Sequence, residues 1–343
     1  MKRLALYFTA PYEVSVREES LPLPAAGQVL VQTLVSAISA GTELLVYRGQ
    51  APADASIDEA IPALAGKFAF PLKYGYAAVG RVTEVGDDVG PEWRGKTVFA
   101  FNPHESLFLS SPDELMPVPF SLSPEEASLL PNMETSVNFL MDGQPLIGEQ
   151  VVVFGQGVVG LLTTALLARL PLASLLTLDR YDLRRRKSLA LGAQASLDPE
   201  ASDSLARLTS LLRKDHSDTR ADLTYELSGD PHALEKAIEV TGFSGRVVIG
   251  SWYGQKQVGL NLGGHFHRSR IRLISSQVST IAPQCAGRWN KSRRLQTAWQ
   301  MLRNLKPAHL ITHRFPLAQA ARAYALLDRH PEEAIQVILT CEG

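Results

Sequence analysis

The 343-residue chain is long enough for two domains, each with its own core. With 45% hydrophobic and 20% charged residues it has an ordinary globular composition, and a formal net charge of −1 excludes any general attraction to nucleic acid or an anionic membrane. Two cysteines, Cys285 and Cys341, exclude a disulfide framework and a four-cysteine zinc lobe. The opening MKRLALYFTAPYEV lacks the apolar run and small-residue cleavage site of a secretory signal. The most apolar stretch, 161–176, is interrupted by Arg169 and Pro171 and is short for a bilayer. A soluble, cytoplasmic protein without membrane or nucleic-acid partners is expected.

In chain order, Lys2 to Phe8 and Gln28 to Ala37 read as strands separated by the Pro/Gly-rich SLPLPAAG. Further strands are expected at Val79 to Val85, ending in the turn Gly86-Asp87-Asp88, and at Lys96 to Phe101. Short strands so closely spaced suggest a compact, barrel-like β domain. The pattern changes at Ser123, where Ser-Pro-Glu-Glu supplies a capping serine, a proline at the first helical position and Glu126 for a capping box. One helix is expected from there to about Met141.

From Glu149 strands and helices alternate: VVVFG, a helix over Val158 to Leu170, LLTLD, then helices at Leu183 to Leu191 and Ser204 to Arg213. The strand ADLTYEL, a helix after Asp230-Pro231 and the strand RVVIG continue the series. This alternation predicts a doubly wound parallel sheet with helices on both faces. After Cys285 come a basic helix, a strand at HRFPL, a helix at Leu317 to Leu327 and a strand from Ala334 to Thr340. One more strand pair is too little to fold alone, so the tail is expected to return to the first domain. The expected α/β organisation is a first domain over 1–123 completed by 286–343, and a dinucleotide-binding domain over 124–285.

The strongest single signal is VVVFGQGVVG, which sets Gly155, Gly157 and Gly160 in G-x-G-x-x-G spacing between a strand and a helix. Gly155 permits a tight turn, Gly157 lets the backbone approach a pyrophosphate, and Gly160 lets the helix pack on the sheet. The helix opening at Val158 offers free N–H groups to phosphates. Asp179, nineteen positions after Gly160, stands where an acid binds the adenosine ribose hydroxyls. A carboxylate there favours NAD(H) over NADP(H), although Arg180 beside it offers either an adenine stack or a phosphate contact. Ser228, Gly250, Ser251 and Trp252 follow predicted parallel strands, where ligands of open sheets bind; Trp252 and Tyr253 are candidates to border the nicotinamide.

These pieces resemble the medium-chain dehydrogenase/reductase superfamily over nearly the whole chain. GYAAVGRVTEVG and GRVVIG match its strand segments. SAISAGTE, KYGY, NPHE, NMETSVN, SWYG, GGHFHRSRI and SSQV are similar to the bacteriochlorophyllide hydroxyethyl dehydrogenase-like subgroup. The resemblance implies a GroES-like β-barrel catalytic domain, a Rossmann domain, an active site in the cleft between them, and a homodimer. The zinc motifs are altered. Ala40 stands where zinc-dependent relatives have cysteine, and Gly75-Tyr76-Ala77 where they have Gly-His-Glu. Alanine and tyrosine are poor substitutes for thiolate and imidazole, so a catalytic zinc is not expected.

Thr42 falls where relatives relay the alcohol proton, and Tyr76 replaces a zinc ligand and should face the same cleft. Glu43, His104 and Glu134 are candidates for general acid/base work or for orienting those hydroxyls. The opposing readings are a helix-capping Thr42, a packed Tyr76, a structural His104, paired structural carboxylates, and a non-standard metal site at Glu43, His104 and Glu134. The basic clusters HFHRSRIR and RWNKSRR suit a solvated or subunit surface, or an anionic small-molecule substrate. The expected activity is zinc-independent hydride transfer between nicotinamide and a secondary alcohol or carbonyl. The rivals are NADPH-dependent reduction of a quinone or an enoyl C=C bond, and a dinucleotide-binding redox sensor without turnover.

Overall fold

The computed structural model describes residues 1–52, 66–212 and 220–341. It divides into two compact units, 1–131 with 299–343, and 132–298. The chain passes between them inside two helices rather than in loops.

The first unit opens with β1 (Lys2–Ala10) and β2 (Glu13–Ser20), an antiparallel hairpin that turns at Tyr12, whose φ is 65°. The charged face of β2 hid it from the apolar pattern. That face carries an ion cluster: Glu19 accepts from Arg3 at 3.0 Å, from Lys73 at 2.8 Å and from the Tyr7 hydroxyl. Glu105 binds the same two cations, each at 2.9 Å. Next come β3 (Val29–Ala37), α1 (Ala40–Tyr47), β4 (Ala78–Val85), β5 (Thr97–Ala100), β6 (Leu107–Ser110) and β7 (Met116–Pro117).

The Ser123 capping box forms as expected, with Ser123 Oγ accepting from the Glu126 N–H and Glu126 Oε2 accepting from the Ser123 N–H. The single expected helix is nevertheless two, α2 (Pro124–Ala127) and α3 (Leu130–Gly143). Pro131 explains the break: it has no N–H to donate and disfavours helical geometry in the residue before it.

The second unit follows as β8 (Gln150–Phe154), α4 (Val158–Leu167), β9 (Ser174–Leu178), α5 (Asp182–Ala190), β10 (Ala195–Leu197) and α6 (Ser204–Leu211). It continues with β11 (Ala221–Glu226), α7 (Pro231–Val240), β12 (Thr241–Ile249) and β13 (Arg272–Ser275). Arg213, the expected end of the α6 helix, lies outside the described residues. The strands are parallel, in the order β10-β9-β8-β11-β12-β13. β8 is buried on both faces, which is why its sequence is apolar without alternation. Val152 and Phe154 pack with Leu176, Leu178 and Ile238, while Val151 and Val153 pack with Phe139, Leu175 and Tyr225.

The chain returns through α8 (Lys291–Leu305) to β14 (Ile311–Pro316), α9 (Ala320–Arg329) and β15 (Gln336–Thr340). β15 pairs antiparallel with β3, Ile338 opposite Ala37, giving the order β14-β15-β3-β4-β5-β7 with β6 also on β3. The helix expected from Leu317 begins with a 3₁₀ turn and becomes α-helical at Ala320. Tyr324 and Leu327 of α9 then join Phe8, Ile38, Tyr47 and Val337 in the core of this unit. Among the described residues no helix is long and apolar enough to cross a membrane.

Burial opposes ionisation of Glu19, but Lys73, Tyr7 and Arg3 outweigh it and hold the carboxyl at about 2. A depressed folded-state value stabilises the fold above the ordinary carboxylate range, and that contribution fades as pH falls from about 4.5 towards 2. Thermal unfolding of wild type and Glu19→Gln should therefore differ most near neutral pH and converge as pH approaches about 2. A gap that stays constant with pH would show that the cluster contributes through packing alone.

Candidate active site

In the first unit, β3 delivers Ser36, and the chain then turns through Ser39 into α1. Glu43 lies in the first turns of this helix with no solvent exposure. Its Oε1 accepts from the Ser39 N–H at 2.7 Å, so the carboxylate faces the positive end of its own helix. Its Oε2 receives His104 Nε2 at 2.9 Å and the Tyr324 hydroxyl. A carboxylate only accepts, which puts the imidazole proton on Nε2. His104 Nδ1 lies 2.7 Å from Ser36 Oγ, which itself is 3.2 Å from the Ala77 carbonyl. His104 is fully buried, and Gly75 is what admits it: Gly75 has φ +106°, and a Cβ there would lie 2.5 Å from His104 Nε2. Burial, then the Glu43 charge, push the Tyr324 hydroxyl well above its usual range.

Above this buried cluster are two less buried hydroxyls. Ser39 is the N-cap residue of α1, yet its side chain makes no cap bond. Its Oγ instead accepts from the Tyr76 phenol. Tyr76 also meets Tyr74 edge-on at 6.1 Å. Thr42 sits inside the first turn of α1, with its N–H on the Ser39 carbonyl at 3.0 Å, so the capping reading of Thr42 is corrected: the cap position is Ser39.

Glu134 belongs to the second unit. Its Oε1 accepts from Arg294 Nε at 3.1 Å and Nη2 at 2.9 Å. Arg294 is fully buried and also donates to Asn138 Oδ1 and to the carbonyls of Val278 and Thr280. Burial raises the Glu134 carboxyl while Arg294 opposes it. This is an anchor for the segment after β13. Glu43 and His104 come together, and Glu134 answers to a different partner. Among the described residues, three potential metal ligands gather at exposed His330, Glu332 and Glu333, not at Glu43, His104 and Glu134.

The fingerprint in the second unit has the geometry its glycines demand. Gly155 has φ +88°, and a Cβ would lie 2.5 Å from Ser228 Cα. A Cβ on Gly160 would lie 2.0 Å from the Gly155 carbonyl oxygen. Gly157, the N-cap of α4, has open space where its Cβ would be, and Val158 begins the helix. Asp179 is nearly buried; its Oδ2 accepts from the Gln156 N–H at 2.7 Å and its Oδ1 from the Tyr181 N–H at 2.9 Å. Arg180 turns to Asp230 at 3.1 Å and Glu200 at 3.6 Å. Arg184 stacks on Tyr181, 4.8 Å from the ring centre.

Ser228 and Tyr253 converge on Glu226, a fully buried carboxylate that sequence reasoning missed because it reads as one more polar residue at a strand end. Its Oε1 accepts from the Ser228 N–H at 2.8 Å and from the Ser228 hydroxyl, and its Oε2 from the Tyr253 hydroxyl at 2.5 Å. Ser251 Oγ accepts from the Gly229 N–H at 2.9 Å. Gly250 serves packing, since a Cβ would lie 2.3 Å from the Phe139 ring. Trp252 is 40% exposed.

No family model matches the chain. It is 26% identical over 366 aligned positions to the D-guloside 3-dehydrogenase of Escherichia coli K12, covering 99% of this chain and all of the relative. It is also 26% identical to the 2-desacetyl-2-hydroxyethyl bacteriochlorophyllide A dehydrogenase of Cereibacter sphaeroides, over 97% of this chain and 96% of the relative. The fold is shared with 2R,3R-butanediol dehydrogenase from Bacillus subtilis, at TM-score 0.78 and 17% identity over 99% of this chain and 100% of that one. A putative zinc-binding dehydrogenase from Sinorhizobium meliloti, solved with NADP, matches at TM-score 0.77 and 18% identity, over 99% of each chain. Over nearly its whole length the chain is thus similar to dehydrogenases of the medium-chain type, and it is an enzyme. Its parallel-sheet unit carries the open Gly157 turn.

Two glycine variants separate cofactor approach from packing. Gly157→Ala should weaken NADH binding by about tenfold with little loss of stability, because its backbone suits alanine but its Cβ would enter the phosphate approach. Gly160→Ala should lower stability by about 1–3 kcal/mol, because the new methyl overlaps a backbone oxygen. Calorimetric titration and thermal unfolding read the two effects; equal affinity loss without unfolding in both would contradict the assignment.

Proposed function

We propose that the protein interconverts a secondary alcohol and a ketone with NAD(H), and does so without a catalytic zinc. The observation that carries this reading is the replacement of the metal-ligand positions by Ala40 and Tyr76 beside a Glu43–His104 pair whose polar atoms are taken up by one another and by Ser36, Ser39 and Tyr324. That set does not fit a tetrahedral zinc, which needs ligand lone pairs directed at the ion rather than engaged with one another. Nicotinamide, when bound, supplies the hydride acceptor or donor.

The remaining chemistry is proton handling at the substrate oxygen. Thr42 and the Tyr76 hydroxyl are the residues we assign to it, with Ser39 as the acceptor that orients the phenol. Glu43 and His104 lie beneath as a buried pair that fixes the start of α1. Preference for NAD(H) is supported by the Asp179 carboxylate, which repels a 2′-phosphate, and by Arg180, whose guanidinium is engaged by Asp230 and Glu200. Relatives named for guloside and sorbitol favour a polyhydroxylated substrate.

The test is a panel of polyols and other secondary alcohols with NAD+ and NADP+, run on protein whose metal content has been measured. We expect turnover with NAD+, zinc far below one per chain, and activity that survives chelation. Tyr76→Phe should lower kcat by about 10²-fold or more if its hydroxyl moves the proton. Asp179→Ser should narrow the preference for NADH over NADPH. Stoichiometric zinc removed together with activity would refute the metal-free scheme, and tight NADH binding with no turnover on any alcohol or carbonyl would favour a binding protein.

A further inference from the structure

The strand order places a switch point between β8 and β11: the chain runs outward from β8 through β9 to β10, then returns to add β11, β12 and β13 on the other side. Ligands of open parallel sheets sit outside the carboxyl ends at such a point. Glu226 is the last residue of β11, in register with Phe154, the last residue of β8 before the Gly155 turn. A carboxylate with no solvent exposure therefore stands at the floor of the crevice, on the β11 side of the fingerprint.

Its donors come from two different strand exits. Ser228 belongs to the turn after β11, and Tyr253 to the segment after β12. The two segments are cross-linked twice more, by Gly229 N–H to Ser251 Oγ at 2.9 Å and by Lys256 Nζ to the Gly229 carbonyl at 2.7 Å. The β11 turn lies against the fingerprint so closely that Gly155 has no room for a Cβ. Burying a carboxylate among hydroxyl and amide donors costs desolvation, and a purely structural link between two loops needs no charge. A charged acceptor does one thing a neutral one cannot: it holds several donors at once, each in a charge-assisted bond.

We propose that Glu226 is a positioning residue for the dinucleotide: by holding Ser228 and Tyr253 it sets the wall formed by the β11 and β12 exits, against which the half of the cofactor beyond the pyrophosphate lies. This rests on the nicotinamide-cofactor reading of the second unit. The adenosine half has its own anchors at Gly157 and Asp179, on the β8 and β9 side. The two halves are therefore separately addressable, by ADP and by NADH.

Calorimetric titration of the full chain with ADP and with NADH, for wild type, Glu226→Gln and Tyr253→Phe, tests it. Glutamine keeps the volume but turns a donor towards one set of its partners; phenylalanine removes one donor and leaves the carboxylate. Both variants should bind NADH about tenfold or more weaker while ADP affinity stays within about twofold. The KM for the dinucleotide should rise in parallel, more than kcat falls. Equal weakening of ADP and NADH, or unchanged NADH affinity in a folded Tyr253→Phe, overturns the proposal. Should Glu226→Gln fail to fold, Tyr253→Phe alone decides. Wild type that binds neither NADH nor NADPH removes the cofactor reading itself, an outcome distinct from variants that bind as wild type does.

Discussion

At the carboxyl edge of the parallel sheet, backbone meets backbone with no side chain between. Gly155 lies against the turn after β11, and Gly160 against the Gly155 carbonyl. These two approaches fix where β8 ends, where α4 begins and where the β11 exit must run. The open space at Gly157 is a product of the same packing: its neighbours are drawn inward, and the turn between them is left facing out. A single methyl at either tight position would push apart the elements that any dinucleotide would have to bridge.

The two units meet a common problem, a carboxylate removed from water, in different ways. Glu43 is held by a helix start, an imidazole and a phenol; Glu226 by a serine and a tyrosine; Glu134 by an arginine. The last is held by a permanently charged guanidinium, which goes on to bind two backbone carbonyls and an asparagine. The first two depend on hydroxyl donors, so their geometry is sensitive to any hydroxyl that is lost.

The parallel-sheet unit was legible in the sequence because each of its signals is local. The glycine spacing, the apolar β8 and the acid at the end of β9 lie within about thirty residues of one another. β2 was not legible, since only Val14 and Val16 of EVSVREES face the core and the rest of the strand is charged or polar and serves an ion cluster. The capping box at Ser123 was correct, but the helix it starts is cut by Pro131, a residue whose effect was present in the sequence and was overridden by the apolar pattern after it. Thr42, Glu43, Tyr76 and His104 could be nominated from motifs. Tyr324 could not, because it reaches Glu43 from 281 residues away. Glu226 was hidden for the opposite reason: its partners are close in sequence, but nothing in a strand's last residue reveals whether it points to water or away from it.

The first unit is built from two segments far apart in sequence, and this bears on how the protein emerges during synthesis. β15 lies between β14 and β3 in the larger sheet, hydrogen-bonded to both, and Tyr324 completes the buried cluster around Glu43. Until residues near 340 have left the ribosome, β3 has an open edge and Glu43 lacks one of its donors. The second unit, contiguous over 132–298, has all its strands in hand earlier. The nascent chain thus carries an unfinished sheet while the unit downstream is already able to fold, and β15 later closes the sheet that β3 began.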